Sequence, residues 1–173
     1  MTQCINALKE WTGMAHTTIL YDSTVHEFTD RGLFNTIQGK PNIAIITVTT
    51  DGDIFGGFYT IPVTEANDKF YDPNIFLCSF ESHGRCETPQ RFGVQDDILP
   101  EMNVAFYVNE HRGWFLWFWN DYESGFCLGN ERSETWCYEL SSGFVNLQDD
   151  TLTGKTEYPD FHRCCRILAI QMT

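Results

Sequence analysis

Three small groups of side chains in this sequence carry donor types and spacings that could do chemistry. Cys78, His83 and Cys86 form a Cys-x4-His-x2-Cys run. Thiolate and imidazole are the donors zinc prefers, so this run could supply two or three ligands. A closed tetrahedral site needs a fourth ligand, and no second half with matching spacing follows. Against the metal reading stands a plainer one, with Cys78 in the core and the other two in a loop. The second group is the vicinal pair Cys164-Cys165 between Arg163 and Arg166. Neighbouring positive charge stabilises a thiolate and is the usual route to a reactive cysteine. A bridge between adjacent cysteines is strained, so the alternative is two reduced thiols, one facing in and one facing out of a strand. Cys137, after Ser133-Glu134-Thr135-Trp136, carries the same two readings. The third group is Ser23 and His26 with Asp22 and Glu27 beside them, close enough for a nucleophile and its base, although such neighbours are usually structural.

Other signatures fail on inspection. Asp51-Gly52-Asp53 opens like a calcium loop, but the twelfth position, where a bidentate glutamate is required, is Pro62. There is no Gly-x-Ser-x-Gly elbow, no P-loop and no Gly-x-Gly-x-x-Gly fingerprint. No cofactor is therefore expected, and a non-enzymatic role is favoured over catalysis.

The elements that must position these residues read mainly as strands. The 26 aromatic residues (14 Phe, 7 Tyr, 5 Trp) favour pleated surfaces. Thr17 to Tyr21 reads as a short buried strand, and Phe28 to Ile37 as a helix capped by Thr29. Ile43 to Thr50 is a run of strand formers joined by Asp51-Gly52 to Asp53 to Thr60. Asp-Gly between such runs is the strongest short-range hairpin signal, because both residues tolerate positive φ. Gly56-Gly57 in the return strand marks a bulge or a place where another backbone comes close. Further strands are expected at Ile75 to Phe80, Val104 to Val108, Trp114 to Trp119, Gly125 to Leu128 and Arg166 to Ile170. The Trp114 to Trp119 run reads as buried on both sides. Frequent turn residues between the strands fit stacked antiparallel sheets.

Length and composition bound the rest. At 173 residues without repeat or linker, one domain over residues 1–173 is expected. Eleven basic against 24 acidic residues give a formal charge of -13, which argues against nucleic acid and anionic lipid as partners and suits a basic protein surface, a cation or a partner recognised through apolar contacts, the plainer reading being that it keeps the chain soluble. No stretch has the length of a membrane span, so no membrane insertion is expected. Seven cysteines, an odd number, together with a start lacking a secretory core, predict reduced thiols and a cytoplasmic or nuclear location.

One resemblance gathers these pieces. Ile19 to Thr29 followed by Leu33-Phe34 resembles the TLDc pattern, in which a Leu-Tyr-Ser-Thr strand leads to a His-Gly-x-Ser turn and a helix. Pro41 to Phe58, ending Asp-Gly-Asp-x-Phe-Gly-Gly-Phe, resembles that family's hairpin. Phe70-Tyr71-Asp72 leading into Ile75 to Phe80 and the closing stretch Arg166 to Met172 also look like it. The chain departs from the pattern at Glu27, where a glycine is usual, and at Trp114 to Trp119, in place of a glycine-rich stretch. The resemblance implies a two-sheet antiparallel β-sandwich, β-rich α+β, flanked by a few short helices. It also implies a role in resistance to oxidative stress without an established enzymatic mechanism, and association with the vacuolar proton-pumping ATPase. On that footing His26, Glu27, Asp51, Gly56 and Gly57 are the expected contact residues. A redox sensor or enzyme using Cys137 or Cys164-Cys165 is the alternative.

Overall fold

The computed structural model describes residues 2–98, 102–106, 114–119, 125–129, 135–155 and 160–173. In chain order the elements are α1 (Thr2–Thr12), β1 (Thr17–Asp22), α2 (Asp30–Ile37), β2 (Ile43–Thr49), β3 (Ile54–Tyr59), β4 (Lys69–Tyr71), β5 (Phe76–Glu81), β6 (Gln90–Gly93), β7 (Asn103–Phe106), β8 (Trp114–Trp119), β9 (Gly125–Gly129), β10 (Thr135–Tyr138), α3 (Leu140–Gly143), β11 (Asp160–His162) and β12 (Cys164–Met172). They form two six-stranded sheets, one ordered β1-β12-β2-β3-β5-β6 and the other β11-β10-β9-β8-β7-β4. Every described pairing is antiparallel. The expected two-sheet sandwich with few, short helices is the observed architecture.

The alternation of β2 shows how the sequence builds the layers. Ile43 and Ile45 enter the core between the sheets, while Ala44 and Ile46 enter a second apolar cluster on the outer face of the first sheet. An apolar strand with both faces covered explains why Ile43 to Thr49 lacks polar alternation. The inter-sheet core is closed by aromatic contacts across the layers, Tyr59 against Phe106 and Phe118 at 5.9 and 6.4 Å between ring centres. The outer face is covered by α1, which the sequence reading did not foresee. Cys4 and Leu8 are buried there and Trp11 stacks on Phe80 at 5.6 Å. Arg91 donates to the Trp11 carbonyl at 3.3 Å and lies over the Phe76 ring, which fixes the end of the helix.

The β2–β3 hairpin is present, with a different turn. Of Asp51 and Gly52 only the glycine takes a left-handed conformation, at φ 95. The Thr49 N–H donates to the Asp53 carbonyl at 3.0 Å and the Gly52 N–H to the Thr49 carbonyl at 3.1 Å. The loop is therefore the three-residue kind, Thr50 to Gly52, in which one positive φ suffices. The expected close approach of another backbone is found at Gly56, while Gly57 faces an aromatic side chain instead. A Cβ on Gly56 would lie 1.9 Å from the Ile45 carbonyl oxygen, and one on Gly57 would lie 2.7 Å from the Phe118 ring of the facing sheet.

Thr29 caps α2 as expected, its hydroxyl accepting from the Gly32 N–H at 3.0 Å. Strand β1 differs from expectation, because it is the edge of its sheet and only Tyr21 in it is buried. Strands β4, β6, β10 and β11, three or four residues each, are too short to show a period in sequence. Residues 107–108 of the expected Val104 to Val108 strand lie outside the described residues. In β8, Leu116 and Phe118 are fully buried; the side chains on its other face lie outside the described residues.

Candidate functional site

Antiparallel pairing brings the ends of β1, β2 and β5 and the starts of β3 and β12 to one end of the first sheet. Residues 23–29, 50–53 and 82–89 therefore cluster at that end. His26, Glu27 and Asp51 are all exposed there, as is Val25 at 77 %.

The loop after β1 is held from beneath. Arg166 donates to both carboxylate oxygens of Asp22, Nε to Oδ1 at 3.0 Å and Nη2 to Oδ2 at 2.5 Å. The Thr24 N–H and hydroxyl donate to Oδ1 at 3.0 and 2.8 Å. The Arg166 bonds, and then those of Thr24, hold the Asp22 carboxyl well below the usual carboxylate range. Ser23 Oγ accepts from the Ile167 N–H at 2.9 Å, and His26 Nδ1 accepts from the Asp22 N–H at 3.0 Å. The His26 ring also stacks on Tyr21, 5.3 Å between centres. Ser23 and His26 are thus both directed to the backbone, as the structural reading of that pair has it.

A second arrangement secures the hairpin tip. Asp53 is buried, and its Oδ1 accepts from Arg85 Nη2 at 2.5 Å and lies 2.9 Å from His83 Nδ1. Arg85 also donates to the Thr151 carbonyl through Nε at 3.1 Å and to the Leu152 carbonyl through Nη2 at 3.0 Å. One guanidinium therefore joins three segments far apart in sequence. In the sequence Asp53 belongs to the calcium-like opening and to the start of the return strand, and Arg85 to no motif. Its partners are 32 and 66–67 residues away, and no local spacing announces them. His26 turns to Tyr21 and the Asp22 backbone at β1, whereas His83 turns to Asp53 at the start of β3, so the two imidazoles are engaged at different strands.

The expected contact residues divide. His26, Glu27 and Asp51 are available, whereas Gly56 and Gly57 are buried, Gly57 between the sheets and Gly56 on the face covered by the outer cluster. The pair is glycine because a carbonyl and an aromatic ring occupy the space of a side chain. It offers no surface to a partner, which corrects that expectation.

The metal candidate is likewise taken apart. Cys78 points to the outer face, in the cluster with Cys4 and Leu8, while Cys86 packs against the inter-sheet core on the opposite face. His83 turns to Asp53, and among the described residues no three His, Cys, Asp or Glu side chains are gathered as a metal site. Burial raises the Cys78 thiol well above its ordinary value, the reverse of what a ligand needs.

Of the redox candidates, Cys137 is buried, and burial pushes the Cys164 thiol up to about 12. Cys165 is exposed, so the pair faces in and out of β12 as the alternation required. The Arg166 guanidinium, expected to favour a thiolate, is turned to Asp22 instead. The six cysteines whose side chains are described, Cys4, Cys78, Cys86, Cys137, Cys164 and Cys165, are all free thiols. Among the described residues no helix is long and apolar enough to cross a membrane.

Comparison with protein families matches residues 1–157 to the TLDc domain. No curated protein matches the chain.

Proposed function

The chain belongs to the TLDc family, a family of the oxidative-stress-resistance type, and from that premise we propose that it is a non-enzymatic protein-interaction domain whose loop end docks on the vacuolar proton-pumping ATPase. The observation that carries this reading is the division of labour at the loop end. The buried Asp53 and the partly buried Asp22, Arg85 and Arg166 are turned to one another and to the backbone, while His26, Glu27, Asp51 and Val25 face outward. Loops tied down from within lose little entropy on binding, and preorganisation of that kind favours recognition. An exposed Val25 among acidic neighbours gives an apolar anchor with a charged rim, and the formal charge of -13 suits a basic docking surface. Free thiols in the cysteines whose side chains are described agree with a cytoplasmic setting, or a nuclear one.

Co-sedimentation with purified pump tests it. The wild-type chain is expected to bind, and a Glu27→Lys, Asp51→Lys double variant to bind at least tenfold more weakly with an unchanged unfolding midpoint. Equal binding by the two removes the loop end from the interface; no binding by the wild type removes the pump as partner.

A second reading, a cysteine-based redox sensor, is supported only at Cys165, the exposed member of its pair. If Cys165→Ser leaves peroxide protection of cells expressing the chain unchanged, that reading is excluded.

A further inference from the structure

Apart from Asp72 and the Tyr59 phenol, the buried polar side chains of the described residues lie towards the loop end of the sandwich. Most have protein partners there. Thr49 Oγ1 accepts from the Asp53 N–H at 3.1 Å, Ser82 Oγ from the Cys86 N–H at 2.7 Å, and Thr151 Oγ1 from the Gln148 N–H at 3.2 Å. Thr47 and Ser79 are different. Both are completely buried, and neither hydroxyl has a hydrogen-bond partner in the protein.

Their position follows from register. Thr47 on β2 and Ser79 on β5 are the direct cross-strand neighbours of Phe55 on β3. Each lies two residues from an inter-sheet core residue, Ile45 and Leu77, so both point between the sheets on either side of the Phe55 ring. From the facing sheet the His162 imidazole stands edge-on to the same ring, 5.3 Å between centres. This region thus has hydroxyls on one wall and an imidazole on the other.

We infer that ordered water molecules are bound between the two sheets at the loop end, flanking Phe55 and hydrogen-bonded to Thr47 Oγ1 and Ser79 Oγ. A buried hydroxyl left unpaired is destabilising, and the two lie two inter-strand spacings apart on either side of Phe55, so each needs a water of its own to satisfy it. The occurrence of buried waters, about one per 27 residues, gives a chain of 173 residues about six, so the number invoked is ordinary. The third unbonded hydroxyl, that of Tyr59, lies towards the other end with Phe106 and Phe118 as its ring neighbours, and the inference does not extend to it.

Thr47→Val keeps the shape and removes the hydroxyl, so the sign of its effect decides. With bound water the variant strips a partner from it and lowers Tm by about 2–4 °C. In a dry site it removes an unpaired hydroxyl, and Tm stays or rises, which overturns the inference. Water-to-protein cross-relaxation on the wild type gives an answer even if the variant does not fold. Long-lived water signals at the Thr47 and Ser79 side chains are expected, and their absence at both overturns it.

Discussion

At the scale of single residues, the molecule repeatedly uses arginine to hold a carboxylate and the backbone around it. Asp22 and Arg166 make the clearest case for a pH test. The folded-state carboxyl sits well below the unfolded value of about 3.9, so its contribution to stability is present above that pH and fades as pH falls towards the folded value. Arg166→Gln is therefore expected to lower stability at neutral pH, with the gap from wild type closing progressively below about pH 4. Denaturant unfolding at a series of pH values checks this, and carbon-detected titration of Asp22 should show its midpoint rising towards the ordinary value in the variant. The sequence exposed only half of this site. Asp22, Ser23 and His26 stood together and were visible, but Arg166 reaches Asp22 across 144 positions, and Arg85 reaches Thr151 across 66. Contacts of that range are set by strand order, which side-chain spacing does not encode.

At the scale of elements, the legible parts were those with a long local signature. Six β-formers among the seven residues of β2, the Asp-Gly turn and the Thr29 cap all act through neighbours in sequence. The short strands take their conformation from what they pair with, and α1 is amphipathic over one face too small to stand out. Gly56 was read correctly as a close approach of backbone and the pair wrongly as contact surface, because the approaching groups, Ile45 and Phe118, belong to the protein itself. This gives a graded prediction. Gly56→Ala drives a Cβ into a carbonyl of the neighbouring strand and should cost about 3 kcal/mol or more. Gly93→Ala, in β6 with nothing within 4 Å of the added carbon, should change stability by less than about 1 kcal/mol. Urea midpoints with unchanged slopes would check the contrast, and equal effects would contradict the packing described.

Across the whole molecule, the first sheet is covered on both sides, by the second sheet within and by α1 outside. The outer cluster is separate from the inter-sheet core, so the helix should be removable without dismantling the sandwich. Replacing Leu8 and Trp11 by serine is expected to uncover Phe58, Phe76 and Phe80, raising binding of an apolar fluorescent dye while the far-ultraviolet β signal persists. Loss of the β signal would mean that the helix is integral to the core.

The strand order β1-β12-β2 bears on how the chain is made as well as how it stands. Two segments from the first third of the chain must wait, each with an open edge, for a nine-residue segment ending at Met172 to be inserted between them. During synthesis, then, the first sheet cannot close until that late segment emerges. The interval leaves one edge of Ile43 to Thr49, buried on both faces in the finished sheet, open to unwanted pairing.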